Sequence, residues 1–392
     1  MNKRTPIYFI FLCGVLHQAI VQGIRPMVPL LAFDLNASAI EIGLIAASFS
    51  LIPLFLAFKA GKVIDKFKGS LPISLGLLTI SFSLIIPFIW PYLSILYISQ
   101  TLSGIAHLFI VIAFQNTLSQ YVDISKRDHY FGWFSFWVSG GQLIGPLIGG
   151  IISESSIYNT FLIFSVTSFV ATILCLLLLK QQMNHEDQPQ NEKKPTKKAE
   201  DNSYSALDLI KIPGMFKSIS ASMFVQFSKD VIITYFPLFA SSHGASTTQI
   251  GALISLQGIT SMFIRMVQGF ILKHVNRFTV LFISLLLSGI CYMTLPINDS
   301  FIYWTIIFLF LGAGMGLAQP LSTVAVINLS PDNFRGRALS IRITGNRIAQ
   351  SISPVSFGLV SQSLGLAPIF FICGGILLLG SFYVKSGVKD AE

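Results

Sequence analysis

Apolar residues in this chain come in long unbroken runs, not in the alternation of a half-buried strand or the single stripe of a surface helix. Runs fall at about 7–33, 40–60, 71–90, 92–120, 131–152 and 158–180. A second set falls at about 216–240, 247–271, 278–297, 301–327, 337–361 and 366–385. Each supplies the roughly 20 residues that an α-helix needs to cross a bilayer core. Backbone in lipid must satisfy its own polar groups, so such runs predict helices. The pattern predicts an all-α membrane protein with twelve transmembrane helices in two six-helix bundles, residues 1–180 and 216–392. Residues 181–215 carry His185-Glu186-Asp187-Gln188-Pro189 and Lys193-Lys194-Pro195-Thr196-Lys197-Lys198. They are expected to form a solvated linker.

The charges orient this arrangement. Twelve crossings put both termini on one face. Lys3, Arg4, Lys59, Lys62, Lys66, Lys68, Lys126, Arg127, Lys180, Lys273, Arg277, Arg335, Arg337, Lys385, Lys389 and the linker lysines fall there. The opposite loops hold Asp34, Glu41, Glu154, His243 and Asp299, with no Lys or Arg. Short loops rich in Lys and Arg stay inside, so the termini and linker are expected to be cytoplasmic, in the cytoplasmic membrane. Only 11% of the residues are charged, against about 25% in a soluble domain. The net charge of +9 does not point to nucleic acid, because the basic residues lie mainly between runs. Cys13, Cys175, Cys291 and Cys373 all fall inside apolar runs without metal-ligand spacing, which suits buried packing. Lys3 and Arg4 begin like a signal peptide, but no small-residue cleavage site follows, so the first run reads as an uncleaved helix.

The two sets of runs repeat at an offset of 208 residues. It places Pro29 on Pro237, Gly43 on Gly251, Gly61 on Gly269, Gly104 on Gly312, Arg127 on Arg335, Pro146 on Pro354 and Gly150 on Gly358. Parallel six-helix repeats of this kind belong to transporters, with the binding site between the halves near the midplane.

Three motifs carry a family resemblance. The loop Gly61-Lys62-Val63-Ile64-Asp65-Lys66-Phe67-Lys68-Gly69 is similar to the signature loop of the major facilitator superfamily, although the second glycine comes one residue late and the trailing basic pair is missing. The fifth run holds Gly141-Gln142-Leu143-Ile144-Gly145-Pro146-Leu147-Ile148-Gly149-Gly150, which matches the G-x-x-x-G-P-x-x-G-G pattern of that family's exporter branch. Pro26-Met27-Val28-Pro29 closes the first run and resembles the P-x-x-P of twelve-helix drug exporters; two prolines are also a helix stop. The resemblance covers essentially the whole chain. It implies a facilitator fold, drug/proton antiport, and a switching role for Gly61, Asp65 and Lys66, with Asp65 against the positive N-terminal end of a neighbouring helix or against Arg335 or Arg337. Gly141 and Gly145, one turn apart on one face, permit close backbone contact, Pro146 kinks the helix, and Gly149 and Gly150 complete the conformational motif. One departure stands out: Gln100 lies four residues before Gly104, where many proton-coupled relatives have arginine.

A charge within a span costs about 2.5–3.5 kcal/mol on insertion scales, so each marks a candidate site. These are His17 and Arg25 in the first run, His107 in the fourth, Lys229 and Asp230 in the seventh, Arg265 in the eighth, and Arg342 and Arg347 in the eleventh. Gln18 and Gln22 join the first group. Arg342, Asn346 and Gln350 form a polar stripe at four-residue spacing. Arg342 is expected to snorkel to the near interface, and Asp230 is a candidate partner for Arg265. Buried arginines suit a cargo with carboxylate or phosphate groups, such as a polycarboxylate metal chelator; a drug is the other cargo class. His17, His107 and Asp230 are the proton-carrier candidates.

No phosphate loop, nucleophile elbow, zinc motif or dinucleotide fingerprint appears, so no enzyme, cofactor or metal site is expected. The expected function is export of a small molecule by alternating access, energised by a proton gradient. The expected partners are the cargo and membrane lipid, with no nucleic acid and the chain as a monomer. Import of an anionic nutrient with protons, and lipid flipping, are the competing readings.

Overall fold

The computed structural model describes residues 5–64, 71–122, 127–183, 206–331 and 334–385. The first half comprises α1 (Thr5–Ile24), α2 (Met27–Asp34), α3 (Ala39–Ile64), α4 (Leu71–Ile89), α5 (Leu93–Tyr121), α6 (Arg127–Ser155) and α7 (Ile157–Met183). After a short α8 (Ala206–Lys211), the second half comprises α9 (Met215–Ser242), α10 (Thr247–His274), α11 (Arg277–Thr294), α12 (Phe301–Leu329), α13 (Arg335–Leu364) and α14 (Ala367–Lys385). No strand occurs among the described residues.

Ten of these spans are long and apolar enough to cross a membrane by composition alone. The other two long helices, α9 and α13, carry Lys229, Asp230, Arg342 and Arg347. They complete twelve spans as inner helices whose polar faces turn away from lipid.

The first span is not one helix. Pro26 lacks an N–H, and the chain breaks at Arg25-Pro26 before resuming as α2. The proline pair therefore kinks the span and does not end it, because Pro29 sits where a helix start tolerates proline. The span stops at Asn36, whose φ of 62° is left-handed, with Ala37 N–H donating to the Ala32 carbonyl at 2.9 Å. A capping box then opens α3: Ser38 N–H donates to Glu41 Oε2 at 2.8 Å, and Glu41 N–H donates to Ser38 Oγ at 3.3 Å. Ser246 and Gln249 repeat this box at the start of α10, again 208 residues on.

The packing shows the same symmetry. In the first half α1 packs on α6, α3 on α5, and α4 on α7. Their counterparts in the second half are α9 on α13, α10 on α12, and α11 on α14. The halves meet through α6 with α10 and α13 with α3.

Backbones touch at both seams. A Cβ on Gly251 would collide with the Pro146 carbonyl, and one on Gly43 with the Pro354 carbonyl. Likewise Gly150 faces Thr247, and Gly358 faces Ala39. Each pair maps on its counterpart by the 208-residue offset. Thr247 Oγ1 donates to the Gly150 carbonyl at 2.8 Å, and Thr248 N–H donates to Glu154 Oε2 at 3.1 Å. All these contacts lie at the ends of the helices remote from the chain termini. Nearer the termini, both helices carry exposed apolar side chains, Trp133, Phe136 and Trp137 on α6 and Phe263, Met266 and Phe270 on α10.

Part of the expected linker is helical. α8 falls within 181–215 and buries Leu209 completely, packing against α9 and α13.

Candidate functional site

A cavity of about 240 Å³ lies between the halves, on the terminal side of the glycine seams. Its walls come from α1 (Val21, Gln22, Arg25), α3 (Phe49), α5 (His107), α9 (Gln226, Lys229) and α13 (Ile343, Asn346, Arg347, Gln350). Both halves contribute, so any movement of one against the other changes its shape.

The cations sit differently. Arg25 donates through Nη2 to Asp230 Oδ1 at 2.7 Å, an ion pair that crosses between the halves. Asp230 is fully buried, and its Oδ2 accepts from Gln226 Nε2 at 3.0 Å. The Arg25 guanidinium also lies 5.2 Å from the Phe49 ring centre, a distance suited to cation–π attraction. Arg347 donates through Nη1 to Gln350 Oε1 at 2.9 Å. Lys229 lines the cavity and is accessible from it. Three cationic side chains thus reach the cavity wall, and the one acid beside them is already committed to Arg25.

Behind His107 of the wall lies a second histidine. His17 is completely buried, and its Nε2 lies 3.0 Å from His107 Nδ1. The rings stack with centres 5.1 Å apart, flanked by Phe49 and Phe114.

Seven of the twelve candidate residues read from the sequence line this cavity: Gln22, Arg25, His107, Lys229, Asn346, Arg347 and Gln350. His17 and Asp230 stand one layer back, bonded to wall residues. Gln18 is buried and accepts from Gln142 Nε2 at 3.5 Å. Arg265 is outside the lining; its Nε donates to the Gly316 carbonyl at 2.9 Å. The expected partnership of Asp230 with Arg265 is therefore replaced by one with Arg25, which the break at Pro26 leaves at the end of α1.

Arg342 does not snorkel. It is buried and donates to the Gln319 carbonyl at 2.9 Å, Gln319 Oε1 at 2.6 Å and Ser322 Oγ at 3.1 Å. A guanidinium offers five donors in a fixed fork, and α12 supplies acceptors for it at shorter reach than the interface. Gln226 and Phe49 were missed by sequence reasoning. Gln226 had a signal, one helical turn before Asp230 on the same face. Phe49 had none, since the chain holds 34 phenylalanines.

The exporter-type motif of α6 divides between two neighbours. A Cβ on Gly141 would strike the Val15 carbonyl, on Gly145 the Ala19 carbonyl, and on Gly149 the Gly23 carbonyl, all on α1. Pro146 and Gly150 instead face α10 of the other half. Gly61 lies in the last turn of α3, and Arg335 and Arg337 are exposed at the start of α13. Asp65 and Lys66 lie outside the described residues. No cluster of three or more metal-ligating side chains occurs among the described residues.

The family model for the Major Facilitator Superfamily matches residues 10–326 and 218–388. This chain belongs to the major facilitator superfamily. It is a multi-pass membrane transporter and not an enzyme. It is 23% identical to Multidrug resistance protein 2 of Bacillus subtilis over 97% of this chain and 94% of that protein. It is 23% identical to the quinolone resistance protein NorA of Staphylococcus aureus, over 89% and 88% of the two chains. It is 22% identical to the class B tetracycline resistance protein of Escherichia coli, over 92% and 89%. Among solved structures, a bacterial homolog of the human lysosomal transporter Spinster superposes with a TM-score of 0.82 at 12% identity, covering 99% and 97%. The nucleoside transporter NupG gives 0.74 at 15% identity, covering 98% and 99%. These likenesses agree with the twelve-helix fold.

Proposed function

We propose that this transporter exports a small molecule bearing anionic groups across the cytoplasmic membrane, by alternating access and proton antiport. The observation that carries the cargo class is the cavity wall: Arg25, Lys229 and Arg347 reach it, and no carboxylate lines it. Guanidinium and ammonium groups in a partly dry cavity favour carboxylate or phosphate. Export is supported by the α6 motif and by relatives named for drug, quinolone and tetracycline resistance. A carboxylated metabolite, such as a metal chelator, or an acidic drug fits this description. One proton falling through about 100 mV supplies roughly 2.3 kcal/mol toward uphill export.

The basic loops place the termini in the cytoplasm by the positive-inside tendency. With the seams closed at the remote face, the cavity lies on the cytoplasmic side of the barrier, in position to load cargo from there.

One observation favours a second reading, import of an anionic nutrient with protons. A proton bound in a cavity lined by cations strengthens the pull on an anion, which suits movement of the two together. Inverted vesicles carrying the protein separate the readings. With the vesicle interior acidic, antiport export predicts accumulation of a carboxylated compound, and co-transport predicts none. The cargo class is tested by Lys229→Gln and Arg347→Gln. Each is expected to lower transport of carboxylated compounds about tenfold, the loss of roughly one charge-assisted contact, while sparing lipophilic cations. Equal losses for both compound classes would remove the anionic reading.

A further inference from the structure

His107 in the cavity wall and the buried His17 behind it are joined by a hydrogen bond at 3.0 Å. We propose that His17 and His107 form one site for a single proton, exchanged with the cavity through His107 Nε2 and controlled by Arg347 across the interface.

The geometry sets the capacity. His17 Nε2 and His107 Nδ1 face each other at 3.0 Å, so one proton lies between them. If both rings became imidazolium, two N–H groups would point head-on at that distance, which excludes a second added proton. His17 Nδ1 is buried with no hydrogen-bond partner, so it has no route to exchange. His107 lines the cavity while its Nδ1 is turned to His17. Its Nε2 is therefore the nitrogen through which the pair meets the cavity. With the bridging proton on His107 Nδ1, donated to His17 Nε2, the bare His107 Nε2 accepts a proton and the pair carries one positive charge.

The surroundings set the control. The charged groups facing the pair are Arg25 on α1, Lys229 and Asp230 on α9, and Arg347 on α13. α3 presents Phe49, α4 contains no ionisable residue, α6 places Gln142 on Gln18, and α7 places the Cys175 thiol beside Cys13. Asp230 is neutralised by Arg25. Arg347 and Arg25 line the same cavity wall as His107. Arg25 belongs to the same half as the histidines, whereas Arg347 belongs to the other. Rocking of the halves therefore alters the repulsion between Arg347 and a proton on His107, so proton occupancy follows the conformation. That last step rests on the transport reading; the site itself rests on the geometry.

Nitrogen-15 NMR of histidine-labelled protein, purified in detergent without cargo, tests this. The His17 and His107 signals among the six histidines are assigned from His17→Gln and His107→Gln. Scanned from about pH 4 to 8, the two rings are expected to change together and take up one proton between them. Removing a facing positive charge by Arg347→Gln should move this shared transition about one pH unit higher. Lys229→Gln provides the same test from α9 if the first variant does not fold. One proton on each ring, no transition in the range, or a transition that neither variant moves would overturn the proposal. Since no cargo is present, failure of the anionic-cargo reading leaves this result intact.

Discussion

Asp230 shows how a single residue constrains the rest of the site. It is completely buried, and what makes its charge tolerable is the Arg25 guanidinium at 2.7 Å with the Gln226 amide at 3.0 Å. Breaking a buried pair by removing one partner leaves the other charge uncompensated. Arg25 lines the cavity with its side chain 12% exposed, which moderates that loss. Asp230→Asn is therefore expected to destabilise the protein by about 3 kcal/mol at most. The double variant Arg25→Gln/Asp230→Asn should lie closer to the parent than the sum of the two single changes. Thermal unfolding of the four proteins in one detergent measures this coupling; strict additivity would mean that the pair contributes nothing.

At the scale of elements, α6 joins two partners that its sequence motif does not distinguish. Gly145 touches α1 within its own half, so a larger side chain there should disturb the folding of that half. Gly251, on α10, touches Pro146 across the seam between halves. Gly145→Leu is expected to insert but to lose transport and most of its thermal stability. Gly251→Leu should keep both bundles intact and prise open the sealed face. The readout is a cysteine introduced at Gln22, a cavity residue, and labelled by a membrane-impermeant thiol reagent applied to the remote face. Labelling should rise in Gly251→Leu protein, against a low background because the four native cysteines are buried. No rise would mean that the seam is not the barrier. By the repeat, Gly43→Leu should behave in the same way at Pro354.

For the whole molecule, the two seams, the two capping boxes and the matched helix pairs describe halves related by one operation. Such halves can rock about the cavity with equal contacts on either side. The orientation of this assembly in the membrane follows from its loops. A reporter fused after Glu192 is expected to read cytoplasmic, and one inserted at Ser242 external. The reverse pair of readings would invert the assignment of the cavity's open face.

The number of spans, their boundaries to within a few residues, and the repeat were legible in the sequence. Lipid imposes a length and a composition on each crossing, and both are local properties of the chain. Intramembrane charged and polar residues were legible for the same reason, and seven of the twelve candidates line the cavity. Their pairing was not. Whether Asp230 meets Arg25 or Arg265, whether Arg342 turns to the interface or to Gln319, and whether His17 touches His107 depend on helix rotation and on the kink at Pro26. Those are set by which glycine faces come together, a contact between residues up to 319 positions apart, as Ala39 and Gly358 are. The sequence by itself determined what crosses the membrane and which residues are costly there. Only the tertiary structure decided which of them meet, because the ion-pair partner of Asp230, the acceptors of Arg265 and Arg342 and the partner of His17 all lie on other helices.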